Sequence, residues 1–75
     1  GNKMKIRFEK VDDVVNFVKV VSKFDCEIDL KKERYVVPAN SMMGIFAIGV
    51  EDEFELIIHS ENKDIINNFK EWEVE

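Results

Sequence analysis

The chain has 75 residues, of which 45% are hydrophobic and 36% are charged, and its formal net charge at pH 7 is −5. This length predicts one domain, residues 1–75, with a modest hydrophobic core. The acidic balance argues against sequence-independent binding to nucleic acid or to an anionic membrane surface, because both need clustered lysine and arginine. No apolar stretch approaches the roughly 18 residues of a spanning helix, so membrane insertion is not expected.

Hydrophobic residues follow two periods along the chain, one typical of strands and one typical of helices. Alternating patterns predict half-buried strands, and helical spacing predicts amphipathic helices that need tertiary packing. The predicted elements are a strand at 3–8, a helix at 11–21, strands at 26–30 and 35–37, a short helix at 41–48, a strand at 54–58 and a last helix starting at 62 or 64.

Polar residues and a glycine predict where the first two helices begin and end. Asp12 or Asp13 can act as N-cap of the first helix, and a carboxylate there favours the positive end of the helix dipole. Asn40 or Ser41 can act as N-cap of the short helix. Gly49 is the expected stop of that helix.

The connection between the second and third strands predicts an antiparallel sheet. Residues 31–34 form a polar turn without glycine, which predicts a loose or longer hairpin. Pro38 cannot donate a ladder hydrogen bond and should end the third strand or place it at an edge. The order β-α-β-β-α-β-α therefore predicts an α+β fold, in which a four-stranded antiparallel sheet carries three helices on one face.

The residue inventory offers little catalytic or metal-binding chemistry. Cys26 is the only cysteine, which excludes an internal disulfide. No signal-peptide pattern begins the chain, so a reducing cytoplasm is the expected location. With one cysteine and one histidine there is no convincing zinc cage, and neither a metal nor a cofactor is expected. No glycine-rich phosphate loop, nucleophile elbow or paired-carboxylate motif is present, so an enzyme is not predicted.

The segment 41–50, Ser-Met-Met-Gly-Ile-Phe-Ala-Ile-Gly-Val, closely resembles the serine-containing helix segment of HPr. HPr is the histidine-containing phosphocarrier of the bacterial sugar phosphotransferase system. The resemblance extends from Phe17 to Glu61, and the predicted order of elements is that of the family. It implies the HPr-like open-faced sandwich for this chain.

The resemblance also implies where an active site would lie. In the family, a phosphohistidine in the loop before the first helix receives phosphate from an upstream enzyme and passes it to sugar-transport proteins, and an arginine follows two residues later. Counting back from Phe17 places Lys10 at the histidine position and Asp12 at the arginine position. A protonated lysine is a poor nucleophile, and an aspartate repels phosphate. We therefore expect a degenerate member without phosphocarrier activity.

Ser41 corresponds to the serine that a dedicated kinase phosphorylates in many Gram-positive HPr proteins. A phosphate near a helix N-terminus would meet unpaired N–H groups and a favourable dipole. The same position is explained by a plain N-cap, worth about 1 kcal/mol. The cap alone is the favoured interpretation, and phosphorylation remains the alternative.

Four further residues are candidates for interaction or chemistry. Met42, Met43 and Phe46 lie on a helix whose exposed apolar residues contact partner proteins in the family, so they are candidates for partner binding. Some of the three are expected to fill the core instead, and this mixed role slightly favours core packing for any one residue. His59, the only histidine, is predicted to be an exposed residue at the end of a strand rather than a phosphoacceptor.

The combined hypothesis is a non-catalytic HPr-like module that binds a protein or regulates one, with sugar phosphotransferase proteins as candidate partners. Its expected contact surface joins the start of the first helix to the helix at 41–48. The alternative is a regulatory phosphoacceptor modified at Ser41 in carbon metabolism. True phosphocarrier chemistry at His59 is the least favoured of the three hypotheses.

Overall fold

The computed structural model describes residues 2–74, which form a four-stranded antiparallel sheet covered on one face by helices. The predicted element order and fold class are confirmed. The elements are β1 Asn2–Ile6, α1 Val11–Val21, β2 Glu27–Lys32, β3 Tyr35–Pro38, α2 Met42–Ile48, β4 Phe54–His59 and a C-terminal 3₁₀-helix Ile65–Trp72.

The strand order is β1-β4-β2-β3, so β4 lies between β1 and β2. Ile6 pairs with Phe54 at one end of β4, and Ile28 pairs with Ile58 near the other. Alternate residues of these strands are buried under the helices, while the intervening residues form the outer face of the sheet. The fully buried side chains are Ile6, Val14, Phe17, Leu30, Ala39, Ile45, Leu56, Ile58 and Phe69.

The last helix is present, but its geometry is that of a 3₁₀-helix rather than an α-helix. Ile66, Phe69 and Trp72 recur every three residues, the period of a 3₁₀-helix, but the buried residues are Ile65, Phe69 and Trp72, and Ile66 is only partly buried. Phe69 and Trp72 are buried, and the backbone amide of Arg7 donates to the carbonyl of Trp72 over 2.9 Å. The end of this helix is therefore tied to the chain that leaves β1.

The N-terminus of α1 differs from the sequence prediction. The N-cap is Lys10, with extended backbone, and neither Asp12 nor Asp13 occupies that position. Asp13 instead lies in the first turn, where its carboxylate accepts the backbone amide of Lys10 over 3.2 Å. This is the reciprocal half of a capping box, in which the acidic residue three positions into the helix satisfies the cap amide.

The β2–β3 hairpin is tight, so the expectation of a loose or longer connection was wrong. Lys32 pairs with Tyr35, which leaves only Glu33 and Arg34 in the loop. Glu33 has a φ of 57°, and a positive φ at the first loop position is where two-residue hairpin turns favour glycine. Strand pairing on both sides holds this non-glycine residue in the left-handed region. Pro38 ends β3, the edge strand, as predicted.

Gly49 is the C-cap of α2 and has a φ of 88°, so the predicted stop is confirmed. Among residues 2–74, no helix combines the length and apolar character needed to cross a bilayer.

Candidate functional site

The loop between β1 and α1, residues 7–10, lies where the family resemblance places the active site. Lys10 is exposed at the N-terminus of α1. The carboxylate of Asp13 accepts two backbone amides of this loop, that of Glu9 over 2.9 Å and that of Lys10 over 3.2 Å. Asp12, which the ungapped count from Phe17 assigns to the arginine position, is also exposed in the first turn.

This arrangement is poorly suited to hold a phosphoryl group. Free amides at a helix N-terminus attract anions, but here the Asp13 carboxylate already accepts the cap amide of Lys10 and the amide of Glu9 just before it. Asp12 and Asp13 add negative charge within the first turn, at the position where a phosphate would sit. Lys10 supplies one positive charge, but an ammonium group is a weak nucleophile at neutral pH.

A surface depression of about 340 Å³ connects this loop with the chain that follows α2. α1 and α2 pack against each other, which brings the start of one helix near the end of the other. The depression is lined by Phe8, Glu9, Lys10, Val11, Val50 and Glu51.

His59 lies far from this loop. It is the last residue of β4, while Phe54 at the other end of β4 pairs with Ile6 just before the loop. At about 3.4 Å per residue, the strand separates His59 from Phe54 by about 17 Å. His59 also belongs to the outer face, and its Nε2 lies 3.0 Å from Oδ2 of Asp29. The structure therefore does not bring the histidine and Lys10 together.

Ser41 is the N-cap of α2, and its hydroxyl oxygen accepts the amide of Gly44 over 3.1 Å. Position 44 is a glycine, and the absence of a side chain leaves room for this contact. A Cβ at Gly44 would lie only 3.0 Å from the Ser41 hydroxyl oxygen. The capping interpretation of Ser41 thus has a complete geometric basis. Its phosphorylation stays a prediction.

The apolar residues of α2 divide between two sides of the helix. Ile45 is buried, whereas the exposed fractions are 36% for Met42, 84% for Met43 and 40% for Phe46. None of the three side chains is buried in the core, so the expectation that some of them would fill it was wrong, while their role in partner binding stays a prediction. Residues 42, 43 and 46 lie on one helical face because of their spacing, and Ile45 alone provides a fully buried anchor on the other. We call Met42, Met43 and Phe46 the α2 surface.

Two features of the structure were missed by sequence reasoning. Lys32 was assigned to a polar turn, but its Nζ donates to the carbonyl oxygens of Ile48 and Gly49 over 3.3 and 3.0 Å. Glu27 and Asp29 were seen only as the polar side of a strand, but they meet His59 across the sheet. Neither feature has a local signal, because each depends on which strand pairs with which and in what register.

Comparison with known proteins supports this fold. A family model described as the PTS HPr component phosphorylation site matches residues 13–71, a range that begins after Lys10 and Asp12. The crystal structure of HPr-C-His from Thermoanaerobacter tengcongensis superposes with a TM-score of 0.82 at 23% identity, covering 95% of this chain and 89% of that one. The phosphocarrier protein HPr from Bacillus anthracis str. Ames gives 0.74 at 16% identity, covering 97% and 94%. No curated protein sequence matches the chain.

Proposed function

This chain belongs to the HPr family of the phosphotransferase system, and from that premise we propose that it is a non-catalytic regulatory module of the cytoplasm that binds a protein partner. The proposal is supported by the loop before α1, where the family resemblance places Lys10 at the position of the nucleophilic histidine and where the Asp13 carboxylate accepts the backbone amides of Glu9 and Lys10. A carrier needs a group that accepts phosphate and a positive environment that stabilises it. The loop contains no histidine, and the positive charge of Lys10 is opposed by Asp12 and Asp13 in the first turn of α1.

The α2 surface supports binding as the remaining role. Met43 is 84% exposed, and Met42 and Phe46 lie beside it on the same face. Burying such side chains is favourable by about 25 cal/mol per Å² of apolar area, and unbranched methionine adapts to the shape of a partner. Val11, at the start of α1, is also exposed and extends the apolar character toward the loop. Proteins of the sugar phosphotransferase system are the first partners to test.

The absence of carrier activity is tested by incubation with phosphoenolpyruvate and the upstream phosphorylating enzyme, followed by intact-mass measurement without acid. We expect no gain in mass, because Lys10 is a poor nucleophile and Asp12 and Asp13 repel the incoming phosphate. An authentic HPr treated in parallel should gain one phosphoryl group.

An acid-labile phosphate on this protein would overturn the proposal. A His59→Gln variant then identifies the modified residue, because it would lose the label if His59 carried it. The same measurement with ATP and an HPr kinase tests the second candidate function, a regulatory switch at Ser41. Its support is the position of Ser41 directly beside the exposed Met42 and Met43, where about −2 of added charge would alter the binding surface. A gain in mass that persists in Ser41→Ala would refute that switch.

Partner binding is tested by capturing proteins from an extract of the native cell with the purified protein. We expect sugar phosphotransferase or carbon-regulation proteins to be enriched, and Met43→Asp to abolish their recovery because it places a charge at the centre of the apolar surface. Lys3→Asp is the matched control, since it introduces the same residue at an exposed position of β1. Equal recovery with Met43→Asp and the unmodified protein would show that the α2 surface is not used.

A further inference from the structure

Three potential metal ligands meet on the outer face of the sheet, where β2 begins and β4 ends. Glu27 is directly opposite His59 in the antiparallel register, and Asp29 is the next residue of β2 on the same face. Their donor atoms, one imidazole nitrogen and two carboxylate oxygens, all lie within 4.8 Å of one another. The helices cover the other face of the sheet, so this cluster is separate from the loop before α1 and from the α2 surface.

The distances match those between neighbouring ligands of one ion. Zinc lies about 2.0–2.2 Å from imidazole nitrogen and carboxylate oxygen, so two of its ligand atoms are about 3.0–3.5 Å apart. His59 Nε2 lies 3.0 Å from Asp29 Oδ2, and 4.0 Å from Glu27 Oε2. Asp29 and His59 therefore already have the required separation. Relative to the imidazole nitrogen, the Glu27 oxygen would have to approach by about 0.5–1 Å.

The three side chains differ in solvent exposure in a way that suits metal capture. The Asp29 side chain is only 15% exposed and the His59 side chain 49% exposed, so the sheet holds this pair in place. The Glu27 side chain is 72% exposed and is free to rotate onto an ion. Two ligands fixed on paired strands reduce the entropy that binding must overcome, and the third completes the set.

We propose that Glu27, Asp29 and His59 form a binding site for a divalent transition-metal ion such as Zn²⁺, Co²⁺ or Ni²⁺. An imidazole favours these ions over Mg²⁺ and Ca²⁺, which prefer oxygen ligands alone. Three protein ligands leave at least one coordination position for water or for a ligand from another molecule. The sequence-based expectation of no metal considered cysteine and histidine as the basis of a zinc cage, and it overlooked two carboxylates that only strand pairing brings to the histidine.

A simple hydrogen bond between His59 and Asp29 is the competing interpretation. Such a pair would hold the ring without attracting a metal, and the acidic Glu27 beside it would then act only as a surface charge. If the three residues bind one ion, removal of His59 or Glu27 weakens Zn²⁺ binding. If they form only a hydrogen bond beside a surface charge, removal of His59 leaves the Zn²⁺ affinity unchanged. General attraction of Zn²⁺ by an acidic surface would weaken equally when any nearby carboxylate is neutralised.

The test is titration of the tag-free protein with ZnCl₂ by isothermal calorimetry, with amide chemical shifts recorded in parallel. We expect one ion per chain, a Kd tighter than about 1 mM, and shifts centred on residues 27, 29 and 59. His59→Gln and Glu27→Gln should each weaken binding by about tenfold or more, since even losing a partner outside the ligand set costs about 10–100-fold. Glu55→Gln is the matched control, because Glu55 lies on the same strand as His59 but outside the cluster, and it should leave the affinity unchanged.

Three results would overturn the proposal: no binding tighter than about 1 mM, equal affinity in His59→Gln and the unmodified protein, or equal weakening in Glu55→Gln and Glu27→Gln. Far-UV circular dichroism of each variant establishes that it remains folded. The exposed Glu27 provides a variant that tests the site even if His59→Gln disturbs the sheet.

Discussion

Replacement of Phe17 by alanine should lower the free energy of unfolding by about 4 kcal/mol. Phe17 is fully buried on α1, and its ring centroid lies 5.1 Å from that of Phe8, 5.4 Å from that of Phe69 and 5.4 Å from that of Trp72. The alanine variant would lose these aromatic contacts and leave a cavity where α1, the loop after β1 and the 3₁₀-helix meet. Because proteins have stabilities of about 0.05–0.15 kcal/mol per residue, this loss would remove a large part of the total for a domain of this size.

Urea denaturation followed by far-UV circular dichroism measures the change. Phe46→Ala is the matched control, because it deletes the same atoms from a side chain that is 40% exposed, and its cost should be less than half that of Phe17→Ala. Phe17→Leu should fall between them, since leucine refills part of the cavity. A loss of less than about 1 kcal/mol in Phe17→Ala would contradict a core centred on this residue.

Replacement of Lys32 by methionine should lower the free energy of unfolding by about 2 kcal/mol. The side chain of Lys32 is only 14% exposed, and its Nζ donates to the carbonyl oxygens of Ile48 and Gly49 at the end of α2. The ammonium group also lies 5.5 Å from the centre of the Phe54 ring. Methionine preserves much of the apolar stem but removes both hydrogen bonds and leaves partly buried carbonyl groups without this donor.

The interaction explains how a seven-residue helix is held at its C-terminal end. The last carbonyls of a helix lack intrahelical partners, and a cation there also complements the negative end of the helix dipole. Lys31→Met is the matched control, because Lys31 is the exposed neighbour of Lys32, and its effect should stay within about 0.5 kcal/mol. This role of Lys32 would be refuted if Lys32→Met and Lys31→Met unfolded at the same urea concentration and their free energies of unfolding had the same dependence on urea.

The candidate sites differ in how far local sequence could reveal them. The loop before α1 was located by counting back from Phe17 within the resemblance to HPr, and Ser41 by that resemblance and by its position before an apolar turn. Which residues form the exposed side of α2 could not be predicted from the local sequence. Met42, Met43, Ile45 and Phe46 are all apolar, and only the packing of the helix on the sheet determined that Ile45 is the buried one.

Hydrophobic period was sufficient to predict the order of elements and the α+β class from the sequence alone, because this signal is local. The expectation of an HPr-like fold rested in addition on the resemblance of residues 41–50 to the serine-containing helix segment of that family. Tertiary structure decided the two-residue hairpin, the 3₁₀ geometry of the last helix, the anchoring of α2 by Lys32 and the meeting of His59 with Asp29. His59 and Asp29 are 30 positions apart, and their contact follows from the pairing of β4 with β2. Strand register is set by the burial of whole faces against the helices, so no short segment of the chain encodes it.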